Sequence, residues 1–129
     1  MQMIDRVFGV SPQALTLRSQ RFEMLSANLA NADTPGYKAV DMDFRAAMTQ
    51  AQQQMVRPQA QAHPAHIPLA GESSPGKLYR VPVQRSLDGN TVETEQEHAA
   101  FMDNAIRYQA SLNFLDERIS SIKRTLRGE

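Results

Sequence analysis

Three histidines and a close pair of aspartates are the residues in this sequence whose types suit chemistry. A metal site asks several nitrogen, sulfur or oxygen ligands to converge on one ion. His63 and His66 lie in a proline-rich stretch that offers no rigid backbone, and His98 begins a long helical pattern, so solvated histidines are expected, with no metal and no other cofactor. The absence of cysteine removes any thiolate ligand, thiol nucleophile or disulfide framework and leaves the redox compartment open. Asp41 and Asp43 share one face of an extended pattern, yet no base, nucleophile or glycine-rich phosphate loop accompanies them. A solvated face or an interface ion pair is expected there. Arg118, Lys123, Arg124 and Arg127 are interrupted by Asp116, Glu117 and Glu129 and lack interleaved aromatic rings, which argues against nucleic acid. Tyr37 and Tyr108 read as packing residues whose hydroxyls find a hydrogen bond. These residues predict no enzyme, no small-molecule substrate and no nucleic-acid partner.

Composition agrees. A chain of 129 residues has room for one modest domain, but its 41% hydrophobic content leans on alanine and methionine and its aromatic content is 6%, so a large private core is not expected. Fourteen basic residues balance fourteen acidic ones, and no overall field draws the chain to nucleic acid or anionic lipid. Residues 1–9 join no basic segment to an apolar run, and nowhere do about 18 consecutive apolar residues occur. Neither a Sec-type signal nor direct membrane insertion is expected.

The elements that position these side chains follow from periodicity. Met3, Ile4, Val7 and Phe8 fall on one helical face that Gly9 can end. Ser11 then reads as an N-cap with Pro12 at the first helical position. Leu15, Phe22 and Leu29 repeat at heptad spacing with Leu25 on the same stripe, giving an amphipathic helix that stops near Asn31. Asn31 is expected to take a left-handed cap conformation. Asp33, Thr34, Pro35 and Gly36 then give turn chemistry, with glycine accepting the positive φ of a type II turn. Val40, Met42 and Phe44 alternate as a short strand or arm, and Phe44, Met48, Ala51 and Met55 resume helical spacing behind Asp43 as cap. Residues 57 to 77 carry Pro58, Pro64, Pro68 and Pro75 with few large apolar side chains, the composition of a flexible linker. Tyr79, Val81 and Val83 suggest a brief strand, pushed to an edge by Pro82, before a turn at Asp88-Gly89-Asn90.

The strongest pattern is carboxyl-terminal. Phe101, Ala105, Tyr108, Leu112, Leu115, Ile119, Ile122 and Leu126 alternate in steps of four and three, a coiled-coil seam. Thr94 and Glu97 fit a capping box, and Lys123, Arg124 and Arg127 suit the negative end of the helix. A helix from residue 94 to 127 spans roughly 50 Å, against about 30 Å for the amino-terminal one. The excess length of seam predicts burial against other chains. The expected organisation is a helical segment over 1–31, a turn, arm and short helix over 32–56, a linker over 57–77, a short extended segment and turn over 78–90, and the long helix over 91–129. The fold class is mainly α: long terminal helices forming a coiled-coil hairpin or bundle in the assembly, a short extended or β arm, and a flexible middle rich in Pro, Gln and Ala.

Asn28-Leu29-Ala30-Asn31-Ala32-Asp33-Thr34-Pro35-Gly36-Tyr37 closely resembles the signature of the bacterial flagellar rod and hook axial proteins. The resemblance extends to Asp41-Met42-Asp43-Phe44, to Asp88-Gly89-Asn90-Thr91-Val92, and to Asn104 and Tyr108, on the pattern of the short proximal rod members. It departs at Leu29, where the family often has isoleucine, and does not cover residues 46 to 77. It implies a non-catalytic subunit of the basal-body rod, the drive shaft that carries motor torque across the envelope, with coiled-coil termini packed side by side in a helical tube. Implied partners are other copies of the chain, other rod proteins, the rod-base adaptor and the flagellar type III export apparatus, which needs no cleaved Sec signal. Synthesis in the cytoplasm and export to the basal body follow from the same resemblance.

On that reading, Asn28 and Asn31 bond across an interface between chains and select its register, against their poor helix propensity. The expected interface residues are Leu15, Phe22, Leu25 and Leu29 with the eight residues of the carboxyl-terminal seam, an intramolecular hairpin being the other use of Leu15 to Leu29. Alternatives of function are another short proximal rod subunit, or a coiled-coil adaptor or chaperone-like module.

Overall fold

The computed structural model describes residues 11–56 and 76–128. The helical face expected over residues 1–9 and the linker from 57 to 75, with His63 and His66, lie outside the described residues. The remainder is mainly helical: α1 (Ser11–Ala30), β1 (Val40–Met42), α2 (Phe44–Val56), β2 (Lys77–Tyr79) and α3 (Thr94–Arg127).

Helix α1 ends where the expected turn chemistry begins, but by a different device. No non-glycine residue among those described has a positive φ, so Asn31 is not the left-handed cap that its residue type suggested. Its side chain does the capping instead. Asn31 Nδ2 donates to the Ala27 carbonyl at 2.8 Å, and the Thr34 hydroxyl donates to Asn31 Oδ1 at 3.1 Å. The side chain adds a second bond to a carbonyl that already accepts from the Asn31 N–H at 3.1 Å, and the backbone stays out of αL. The Tyr37 N–H then donates to the Thr34 carbonyl at 3.3 Å with Gly36 at φ 73°, the type II turn expected over Thr34 to Tyr37.

Strands β1 and β2 pair antiparallel, Val40 opposite Tyr79 and Asp41 opposite Leu78. One further bond runs from the Arg80 N–H to the Ala39 carbonyl at 2.9 Å, and pairing then stops short of Pro82, which has no amide donor. Val81 and Val83, expected in the strand, lie beyond it. After β1, Asp43 Oδ1 accepts from the Ala46 N–H at 3.1 Å and caps α2 as its position predicted. The core is small, as the composition required: Leu17, Met42 and Ala47 are buried together, with Met24, Phe44 and Met48 packed against them.

Helices α1 and α3 form an antiparallel hairpin. Phe22 is held between Phe101 and Tyr108, with ring centroids 5.0 and 5.8 Å away and edge-to-face geometry in both pairs. Two α3 residues seven apart thus receive one α1 side chain, which is heptad packing within the chain. Leu25 is 0% exposed there. Phe22, Leu25, Phe101 and Tyr108, expected at a subunit interface, also contribute to packing within the chain's own hairpin. Leu15, Leu29, Ala105, Leu112, Leu115, Ile119 and Ile122 are half-buried, and Leu126 is 82% exposed.

The start of α3 also differs from its sequence reading. Glu93 is the N-cap residue and no side chain caps the helix, so the Thr94 and Glu97 capping box does not form. Arginine and asparagine partners draw the Glu97 carboxylate inward and away from the helix end. The carboxyl end keeps the expected charge pattern, with Arg124 and Arg127 in the last turn and Gly128 in the left-handed region at φ 75°.

Candidate functional site

The residues of the signature turn sit at a junction of α1, β1, β2 and α3, and Asn28 is its centre. This side chain is 0% exposed. Its Nδ2 donates to the Val40 carbonyl at 2.7 Å and to Glu97 Oε2 at 3.1 Å, while its Oδ1 accepts from the Val40 N–H at 3.0 Å and the Tyr37 hydroxyl at 3.3 Å. An asparagine amide has two donors and two acceptor positions, and all four are used. The pair of bonds to Val40 is what a neighbouring strand would supply, so Asn28 closes the edge of β1 that faces away from β2. The expectation that Asn28 reaches across to another chain is therefore corrected: it selects register within the chain, between helix and arm.

A chain of charges surrounds it. Arg21 grips Asp41 in a bidentate pair at 2.9 and 3.0 Å, and Arg80 joins Asp41 at 2.7 Å to Glu97. Two guanidinium groups face two carboxylates, so the cluster is neutral as a whole. Asp41 was expected on a solvated face or at an interface ion pair; its carboxylate is only 19% exposed and its partners are in the same chain. Asp43 is exposed and serves only as the cap. Both cluster carboxylates accept from guanidinium groups, an arrangement suited to holding elements together rather than to moving protons.

A second clip lies beneath the turn. Asn90, 5% exposed, directs its Nδ2 at the carbonyls of Asn31, Ala32 and Thr34, each at 2.9 Å, and its Oδ1 accepts from the Val92 N–H at 2.7 Å. The Gly36 N–H donates to the Asp88 carbonyl at 2.9 Å and the Thr91 N–H to the Tyr37 carbonyl at 3.0 Å. Pro35 and Gly36 bend the chain so that these groups meet. Asp33, Thr34 and Pro35 remain exposed. Further along the hairpin Asn104, 0% exposed, donates to the Arg18 carbonyl at 3.0 Å. Arg18 stacks 4.0 Å over the Phe44 ring, and burial pushes its pKa down from the ordinary arginine value.

Sequence reasoning singled out Asn28, Asn31 and the turn, read Asn90 only as part of a second turn, gave Arg21 and Arg80 no place in a site, and gave Glu97 the wrong role. A retrievable signal was present: charged residues interrupting otherwise apolar arm and helix positions.

The cluster makes stability pH-dependent. Burial alone would raise the Asp41 carboxyl, but hydrogen bonds from Arg21, the Met42 N–H and Arg80 outweigh it and hold the carboxyl below its usual range. A carboxyl with a folded pKa below its unfolded value of about 3.9 stabilises the fold above that value and loses the contribution as pH falls through the folded one. Melting temperature followed by circular dichroism is therefore expected to hold steady from neutral pH down to about 5 and to drop below about 4. Asp41→Asn lowers the neutral-pH plateau and flattens the acid limb; an acid limb as steep as that of the parent would contradict the assignment.

Comparison with known proteins places these features in a family. Residues 10–38, which hold α1 and the signature turn, match the family model described as flagella basal body rod protein. Over 126 residues the chain is 42% identical to the flagellar basal body rod protein FlgB of Aeromonas hydrophila, covering 97% of this chain and 96% of that one. It is 40% identical to the FlgB of Salmonella typhimurium over 99% of its length and 38% identical to that of Escherichia coli over the same share, with 98% of each relative covered. Similarity at this level along both terminal helices and the arm means that the chain belongs to the flagellar basal body rod protein FlgB family.

Proposed function

We propose that the chain acts in the proximal part of the flagellar rod as a non-catalytic subunit that polymerises through its terminal helices, alongside other copies of itself and other rod proteins. Its work is mechanical, the transmission of motor torque through the cell envelope, and flagellum-dependent motility depends on it. Delivery by the flagellar type III export apparatus and contact with the rod-base adaptor complete the reading.

The observation that carries it is the similarity to FlgB proteins along 97% of the chain, the whole helical hairpin and arm included. Physical support comes from the mismatch of the hairpin. Helix α3 has 34 residues and α1 has 20, about 51 Å against about 30 Å, and Leu126 at the far end of the seam is 82% exposed. Apolar surface of this kind marks a site of association.

Deleting the chain in its host and restoring it from a plasmid tests the proposal, with swimming and electron microscopy of envelope-embedded basal bodies as readouts. Loss of rod and filament, reversed by the plasmid, is the expected result. Intact rods in the deletion strain would refute it.

A further inference from the structure

Among the described residues, two exposed apolar surfaces lie away from the α1–α3 seam. The first is the arm beyond β2, where Val81, Val83 and Leu87 are 86%, 85% and 109% exposed. The second is a ridge of α3 on which Met102, Ile106 and Phe114 follow one another at multiples of four residues and are 60%, 68% and 56% exposed. At about 100° per residue this ridge lies on a different side of α3 from the seam that receives Phe22, so the hairpin cannot cover it.

We propose that the arm of one copy of the chain seats on the α3 ridge of the next copy. This rests on the reading of the chain as a rod subunit and names the faces through which like subunits meet.

Three observations favour a second copy as the occupant. The lengths agree: Val81 to Leu87 spans at most about 20 Å of chain, and Met102 to Phe114 about 18 Å of helix. The charges agree as well. The arm carries exposed Arg85 and follows exposed Lys77 of β2, while exposed Glu95 and Glu117 stand at the two ends of the ridge, seven residues before Met102 and three after Phe114. Finally, the two surfaces differ from each other, so their contact is heterologous. Repeating such a contact builds an open helix or a ring rather than a closed pair, which is the symmetry that a shaft requires.

The size of the contact suits regulated assembly. Six side chains, each more than half exposed, bury roughly 400 Å² per partner, about half the area of a standard interface. Dilute chains are then expected to remain separate, with the contact adding to others only within the growing rod.

The native chain contains no cysteine, so any link between two copies of it runs through the introduced thiols. Val83→Cys, Ile106→Cys and the double variant, all at exposed positions, are expressed in a deletion strain, and basal bodies are treated with a short bismaleimide. A ladder of linked chains from the double variant, absent from both single variants, is the expected result. Basal bodies that contain the double variant but give no ladder, or dimers from either single variant, would overturn the arm-to-ridge contact. Basal bodies that lack even the unsubstituted chain would instead refute the rod assignment. A charge exchange gives a second reading: Arg85→Glu is expected to abolish swimming, and either Glu95→Lys or Glu117→Lys to restore it. Rescue by neither would overturn the proposal even if the thiols react.

Discussion

Asn28→Leu is expected to raise the intrinsic helicity of α1 and yet destabilise the folded chain by about 3–5 kcal/mol. The gain is small, because leucine exceeds asparagine by only about half a kcal/mol as a helix former. The loss is large because the partners of the amide stay behind. The Val40 N–H and C=O lose the Asn28 amide as partner, Glu97 loses a donor and the Tyr37 hydroxyl an acceptor, all at a position that is 0% exposed. A buried backbone group left unpaired costs about 1–3 kcal/mol, so the two groups of Val40 alone outweigh the helix gain. Chemical denaturation measures the loss, which is a large share of the stability of a small domain. Near-parental stability together with normal swimming would show that Asn28 does not hold β1 to the helix. A subtler outcome is informative too: a stable variant that fails to swim would return Asn28 to a role between chains.

The contrast between Asn28 and the rest of the hairpin explains what could be read from sequence. Helices α1 and α3 were legible because heptad spacing repeats the same physical requirement several times, and the turn because Pro35 and Gly36 have few other uses. The Asp43 cap and the edge position of β2 followed from equally local rules. None of the polar network has that form. Asn28 meets Val40 and Glu97 at separations of 12 and 69 residues, and Arg80 meets Asp41 at 39. Each partner appears once in sequence, so no period marks it. The two local misreadings have the same origin. Glu97 suits a capping box and Asn31 suits a left-handed cap, but tertiary partners outbid the local option for Glu97, and a carbonyl one turn back captured the Asn31 side chain.

Arg80→Met should be among the most damaging changes in the arm, costing about 3–5 kcal/mol by leaving the Glu97 carboxylate buried without a counter-charge. The Glu97 side chain is 0% exposed, and its other donor is the neutral amide of Asn28. Asp41 suffers less, because Arg21 still holds both of its oxygens. Glu97→Gln alone should be milder, since Arg80 retains Asp41 and a neutral amide is cheaper to bury. The double variant Arg80→Met with Glu97→Gln is then expected to be more stable than the sum of the single effects by about 1–3 kcal/mol, the coupling of two groups in one network. The exposed Arg107 and Asp103 pair, at 60% and 52%, supplies an internal control, where removal of either partner should change stability by less than about 1 kcal/mol. Additive effects at Arg80 and Glu97, measured by denaturant unfolding, would mean that the two merely lie close together. Strong coupling would mean that α3 senses the position of β2 through a buried charge, so that a load applied to the arm reaches the long helix without first passing along the chain segment between them.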